Sequence, residues 1–255
     1  MATAIIGGML GSGVVQAQNI FVSDPDLSKQ NAMRELGVTV CKSSGEAAEA
    51  ADYVFLCVKP QIYEIALGQI KDSVTPDKVI ISIAAGISTG YVTSQLGCDC
   101  PVIRVMPNTP LLLSCGATAL CKGKFATDKQ LDTVRSIFDN GGVTEILNED
   151  KMNEIIAVNG SSPAYVYLLA KAMLDGAKQQ GIEETAALRL ICQTILGSAK
   201  MLIESGKTPQ QLIDMVASPG GTTLASLDSF EKSGFEQSVI DAMQACTNRA
   251  NELAR

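Results

Sequence analysis

From residue 20 to about 147, short β-rich runs alternate with helix-length amphipathic patterns. The runs lie at 20–23, 38–41, 53–58, 79–84, 102–106, 117–120 and 143–147. Two of them, Tyr-Val-Phe-Leu-Cys-Val and Val-Ile-Ile-Ser-Ile, are apolar at almost every position instead of every second one. Such strands are buried on both faces, which predicts a doubly wound parallel sheet. Helix start signals follow several runs, at Asp24-Pro25, at Ser88 and at Thr127-Asp128. After Asn148 the strand pattern stops, and helical patterns occupy 149–160, 162–181, 183–205, 209–217, 222–233 and 235–253. The chain therefore reads as an α/β domain over 1–148 followed by an all-α domain over 149–255.

The opening stretch, Met-Ala-Thr-Ala-Ile-Ile-Gly-Gly-Met-Leu-Gly-Ser-Gly, admits two readings. In one, residues 3–6 are a stub of the first strand and Gly7 to Gly13 form a degenerate phosphate loop. In the other, residues 2–10 are a helix that ends in Gly11-Ser12-Gly13, and the run at 20–23 is the second strand. Spacing favours the helix, because a fingerprint helix needs about three turns after its last glycine and six residues separate Gly13 from the next run. Further on, the helical pattern at 163–177 carries Tyr165, Val166, Leu168, Leu169, Met173 and Leu174. That face is broad for a small free-standing helical domain and predicts packing against a second subunit.

Composition removes several classes. With 255 residues, 46% of them hydrophobic, there is ample material for a core. Twenty basic against 27 acidic residues give a net charge of −7 without a Lys/Arg cluster, so nucleic acid is not an expected partner. No uninterrupted apolar run reaches the roughly 18 residues of a membrane span, and no signal-like segment opens the chain; a cytoplasmic protein is expected. The eight cysteines lack zinc-site spacing and read as buried free thiols, and no metal site is expected. The absence of histidine removes the usual general acid/base. Chemistry in this chain must depend on positioning and a cofactor.

Candidate ligand-binding residues gather at the expected strand ends. Ser23-Asp24 closes the run at 20–23, where a carboxylate would accept from a ribose 2′-OH and repel a 2′-phosphate, or would simply cap a helix at Pro25. Val58-Lys59-Pro60 ends the next long run and starts a helix. Ser82-Ile83-Ala84-Ala85-Gly86 ends another with small residues that admit a flat nicotinamide-ribose. In Met106-Pro107-Asn108-Thr109-Pro110 two prolines hold an amide and a hydroxyl rigid, pointing into the crevice between domains. Lastly, Ser218-Pro219-Gly220-Gly221-Thr222-Thr223 joins two helical patterns. Its glycines permit φ > 0, so backbone N–H groups can aim at a small anion, with two threonine hydroxyls at the same helix mouth. An ordinary Pro-Gly turn with threonine caps would have the same sequence.

Taken together, VKP at 58–60, SIAAGI at 82–87, MPNTP at 106–110, NGSSPAYVY at 159–167 and SPGGTT at 218–223 resemble pyrroline-5-carboxylate reductases, in order along nearly the whole chain. The resemblance implies an α/β Rossmann-type parallel-sheet domain followed by an all-α dimerisation domain that interlocks with a second subunit. It also implies reduction of (S)-1-pyrroline-5-carboxylate to L-proline with NADPH or NADH. Ser218, Gly220, Gly221, Thr222 and Thr223 would hold the substrate carboxylate, with Thr223 the proton donor or the residue that orients a donating water. Ser23, Asp24, Val58, Lys59, Pro60, Ala84, Ala85, Met106, Asn108 and Thr109 would line the cofactor site. A homodimer, with a possible higher assembly of dimers, would be the active form.

On this alignment residues 1–6 match the end of the family's glycine loop and the helix after it. The first strand and phosphate-binding glycines, roughly a dozen residues by usual strand and loop lengths, are then expected to be missing from the chain as given. Their loss would leave the flanking strands about 10 Å apart and impair cofactor binding. Two competitors remain. A β-hydroxyacid dehydrogenase shares the two-domain plan but places a catalytic lysine where this chain has Asn159-Gly160-Ser161-Ser162-Pro163. A non-catalytic dimeric remnant would bind no nicotinamide nucleotide.

Overall fold

The computed structural model describes residues 1–254. The packing divides the chain into two units: Met1–Pro163 together with the segment returning from Ala245 onward, and Ala164–Gln244. This division differs from the one expected at residue 148, because the turns after the last strand and the end of the last helix pack with the sheet.

The first unit begins with α1 (Ala2–Ser12), closed by Gly13 at φ 72°, a left-handed cap that glycine adopts without a Cβ penalty. Of the two readings of this stretch, the helical one is observed. Next come β1 (Phe21–Val22), α2 (Leu27–Glu35), β2 (Thr39–Val40) and α3 (Ser44–Glu49). Here α2 starts at Leu27 behind an Asp26 N-cap whose carboxylate accepts from Ser28 N, two residues later than the Asp24-Pro25 signal suggests. After them run β3 (Tyr53–Leu56), α4 (Tyr63–Ile70), β4 (Val79–Ser82), α5 (Thr89–Leu96) and β5 (Val102–Met106). The series ends with β6 (Gly116–Lys122), α6 (Asp128–Asp139) and β7 (Gly142–Ile146).

Strands β3-β4-β5-β6-β7 form one sheet in sequential order, while β1 and β2 form a separate parallel pair. Among the described residues no strand joins β1 to β3. The sheet is parallel, as the apolar runs predict, except that β6 runs antiparallel to β5. A 3₁₀ turn at Thr109–Leu113 replaces the crossover helix that a parallel return would need. Strands β4 and β5 are buried along their whole length. One face carries Ala4, Ile5, Ile6 and Met9 of α1 with Leu131, Val134 and Phe138 of α6; the other carries Tyr63, Leu67, Val92 and Leu96.

The expected helix at 149–160 is instead a 3₁₀ turn, Glu149–Lys151, and a π-helical turn, Ile156–Gly160. Its apolar positions imitate an α-helix, but Met152 and Ile156 are pulled into a small third core with Met106, Cys121 and Ala250. Such π-turns insert one extra residue per turn and recur at functional sites.

The second unit comprises most of α7 (Ser162–Gln179), then α8 (Glu184–Glu204), α9 (Pro209–Val216), α10 (Thr222–Lys232) and the first half of α11 (Phe235–Glu252). It leaves much of its own apolar surface open: Leu168 on α7 and Leu190 and Ile203 on α8 are 67%, 68% and 81% exposed. By length and composition α8 could cross a membrane, although charged and polar residues interrupt its apolar run.

The eight cysteines are all free. Burial raises the Cys57 thiol to about 11 and those of Cys100 and Cys121 to about 12. At pH 7 a thiol at about 11 is ionised only about once in 10⁴. Iodoacetamide at neutral pH is therefore expected to label exposed Cys115 and spare these three, as mass spectrometry of tryptic peptides would show.

Candidate active site

The carboxyl ends of β3, β4 and β5 lie side by side, with Leu56 opposite Ser82 and Ser82 opposite Arg104. Three of the predicted segments therefore share one sheet edge: Val58-Lys59-Pro60, Ser82 to Gly86, and Met106 to Thr109. Lys59 is exposed, and Pro60 opens a 3₁₀ turn, Pro60–Ile62, that runs into α4. Ala84 is buried and Ala85 half-buried; Gly86 follows at φ 75°, so the segment turns sharply with no side chain larger than methyl at its crest.

Ser23 and Asp24 follow β1. The Asp24 carboxylate accepts from Asp26 N at 2.9 Å and lies 3.6 Å from Lys29 Nζ. It thus closes the turn leading into α2, and a cation stands beside it.

Asn108 is held differently from the expectation that it points into a crevice. Its side chain is turned inward: Nδ2 donates to Asn159 O at 3.2 Å and Oδ1 accepts from Ala117 N at 3.0 Å. Thr109, next to it, is exposed. Asn159, in the π-turn, answers with Nδ2 donating to Met106 O at 2.8 Å and to Ala117 O at 2.9 Å. Two buried amides thereby pin the ends of β5 and β6 to the start of α7. Because Asn159 Nδ2 faces two carbonyls its orientation is fixed, and its Oδ1 is left without a partner among the described residues.

Beneath the Ser82–Gly86 segment, Tyr63 Oη and Ser82 Oγ share a hydrogen bond of 2.8 Å, and Tyr63 Oη also donates to Leu56 O at 3.3 Å. Burial drives the Tyr63 phenol well above its ordinary range, so it stays neutral. Glu149 accepts from Thr89 N and Oγ1 at 2.6 and 2.7 Å, fastening the start of α5 to the turn after β7. Neither Asn159, Tyr63 nor Glu149 was singled out as a site residue, although Asn159 opens the NGSSPAYVY motif at 159–167.

In the second unit, the segment before α10 forms the turn its sequence predicts. Gly220 sits at φ 72°, Gly221 N donates to Ser218 O at 2.9 Å, and Gly221 is the N-cap residue of α10. No side chain caps this helix, and no acidic residue stands in its first turn. The threonine-cap reading is thus not what is observed. The N–H groups of Thr222 and Thr223 face the helix mouth without intrahelical partners, and the helix dipole favours an anion there. Ser218 and Thr222 are exposed and Thr223 is half-buried.

The chain is similar to known proteins along its whole length. Residues 149–253 match the family model for pyrroline-5-carboxylate reductase dimerisation, and residues 1–86 match that for NADP oxidoreductase, coenzyme F420-dependent. The pyrroline-5-carboxylate reductase of Escherichia coli is 37% identical over 256 residues, covering 100% of this chain and 95% of the relative. The chain belongs to the pyrroline-5-carboxylate reductase family. Within this family, pyrroline-5-carboxylate reductase 3 of Danio rerio is 36% identical over 99% of the chain and 88% of the relative. The crystal structure of the Plasmodium falciparum pyrroline carboxylate reductase with NADP bound superposes with a TM-score of 0.92 at 30% identity, covering 99% of this chain and 94% of that one. For this reductase family member, the Rossmann-type unit and the helical dimerisation region match the fold class read from the strand and helix patterns.

Proposed function

We propose that this protein reduces (S)-1-pyrroline-5-carboxylate to L-proline with NADPH or NADH, as a homodimer formed through its helical region. The observation that carries the reading is the uncapped mouth of α10 behind the Ser218–Gly221 turn, in a chain that belongs to this reductase family. A carboxylate accepting from the N–H groups of Thr222 and Thr223 would replace the missing cap. Gly220 and Gly221 keep that mouth free of side chains, and Ser218 adds a hydroxyl.

The residues of the first unit fit a dinucleotide. The first turn of α1 has neither a capping side chain nor an acidic residue, so its N–H groups suit a diphosphate. The small side chains of Ala84 and Ala85 suit a flat ring, with Val58, Lys59 and Pro60 on one side and Met106 and Thr109 on the other. Lys29 beside Asp24 offsets the repulsion of a 2′-phosphate, so NADPH is accommodated as well as NADH. Asn108 serves this site by holding the backbone of Met106 and Ala117. When bound there, a reduced nicotinamide would supply the hydride that C5 of the cyclic imine requires. Thr223 Oγ1 would donate the proton that the ring nitrogen takes up, or orient the water that does. With the ring fixed by its carboxylate, proximity and desolvation are the main demands, and a chain without histidine can meet them.

The open apolar faces of α7 and α8 suit a subunit interface better than a membrane, which agrees with the dimerisation match. The same faces leave room for a larger assembly of dimers, and the protein is assigned to the cytoplasm. Replacing Gly221 by valine is expected to raise the KM for pyrroline-5-carboxylate at least tenfold, because a Cβ there would stand 2.6 Å from Ser218 Oγ and 3.0 Å from Ser218 O. Steady-state kinetics with the imine varied would check this.

The test of the assignment is oxidation of NADPH and of NADH by the purified protein with and without pyrroline-5-carboxylate. Oxidation that requires the imine supports it. A second reading, a dimeric module without catalysis, draws on the separation of β1-β2 from the five-stranded sheet. Equilibrium titration decides between the two: the module binds neither nucleotide.

A further inference from the structure

The end of α11 returns to the first unit and meets the small-residue turn after β4. A Cβ on Gly86 would lie 3.1 Å from Ala250 O and 3.1 Å from both C and O of Leu253, so the turn rests directly on the backbone of the last helical turn. Ala250 is buried there. One residue on, Asn251 Oδ1 accepts from Asn153 Nδ2 at 2.8 Å, and Asn153 Oδ1 accepts from Arg104 Nη2 at 2.6 Å. Arg104 is buried in β5 opposite Ser82, the residue from which the turn springs, and its Nη2 also reaches Met152 O at 3.4 Å. Backbone contact on one side and an amide–amide–guanidinium chain on the other thus tie both ends of the Ser82–Gly86 segment to the same helical turn. Nothing in the proposed chemistry uses Asn153, Asn251 or Arg104.

We infer that the last turn of α11 is a positioning element for the nicotinamide end of the cofactor, acting through Gly86 and through Asn251, Asn153 and Arg104. Asn251 touches neither cofactor nor substrate on this reading; it sets the height of the Ala84-Ala85 crest against which the ring lies. The inference rests on the assignment of that crest to the nicotinamide.

The test uses the full-length protein and two ligands: NADPH, and 2′-phospho-ADP-ribose, which lacks only the nicotinamide ring. Dissociation constants are measured by calorimetry for wild type, Asn251→Leu, Asn251→Asp and Gly86→Ala. Asn251→Leu removes an exposed acceptor and should weaken NADPH about threefold, the scale of one exposed hydrogen bond. Asn251→Asp keeps the acceptor for Asn153 Nδ2 and should stay within experimental error of wild type. Gly86→Ala forces a side chain onto a positive φ against backbone and should weaken NADPH at least tenfold. In every variant 2′-phospho-ADP-ribose should bind as in wild type, and kcat should fall in the order of the NADPH losses.

Equal weakening of both ligands would show a merely structural role and overturn the inference, as would NADPH binding unchanged in both Asn251→Leu and Gly86→Ala. A wild-type protein that binds NADPH no more tightly than 2′-phospho-ADP-ribose would overturn the nicotinamide assignment itself, and the inference with it. The wild-type measurement alone identifies that case.

Discussion

Replacing Thr223 by alanine is expected to lower kcat by about 10²-fold, the low end of what a positioned proton donor contributes, while NADPH affinity stays as in wild type. Among the described residues the hydroxyl has no hydrogen-bond partner, and the N-cap residue of α10 is Gly221, so the loss should not pass through stability. Thr223→Ser keeps the donor and should retain most of the turnover. Thr222→Ala removes the neighbouring hydroxyl but leaves its backbone N–H, and should act mainly on KM for the imine. Rapid-quench measurement of the hydride-transfer step in the three variants separates these effects. A Thr223→Ala protein with kcat within twofold of wild type would remove Thr223 from the proposed chemistry.

The second large effect concerns stability. Replacing Asn159 by alanine strips Met106 O and Ala117 O of the donor they share, and both carbonyls lie where the ends of β5 and β6 meet the π-turn. Leaving a buried acceptor unpaired costs about 1–3 kcal/mol, so the pair should cost about 2–6 kcal/mol. For a chain of this size that corresponds to a fall in Tm of roughly 5–15 °C. Part of the loss is offset because Asn159 Oδ1, itself unpartnered, disappears with the side chain. Scanning calorimetry should show the shift, with a KM for NADPH that rises as the Met106–Thr109 segment loosens. A Tm within 2 °C of wild type would mean that the two carbonyls find other donors.

Much of the first unit was legible because β3 and β4 announce themselves as nearly continuous apolar runs, although of these two only β4 is buried along its whole length. Strand direction was not: the burial pattern of 117–120 is the same whichever way the strand runs, and only the short turn at Thr109–Leu113 makes β6 antiparallel. The region 149–160 was misread because Met152, Ile155 and Ile156 recur at helical spacing while the backbone winds first too tightly and then too loosely for an α-helix. Asn108 was located but its direction was not. Its partners, Ala117 and Asn159, lie 9 and 51 residues away, and no local signal specifies a contact of that span. The Ser218–Thr223 turn was the most legible feature, since Pro219 and the positive φ of Gly220 are local properties of the chain.

The most direct test of the account is to follow the hydride itself. The purified protein is incubated with pyrroline-5-carboxylate and NADPH deuterated at C4 of the nicotinamide, each C4 epimer in turn, and the product is analysed by chiral chromatography and mass spectrometry. The account predicts L-proline carrying one deuterium at C5 from one epimer and none from the other. Cofactor binding without labelled proline from either epimer would contradict it.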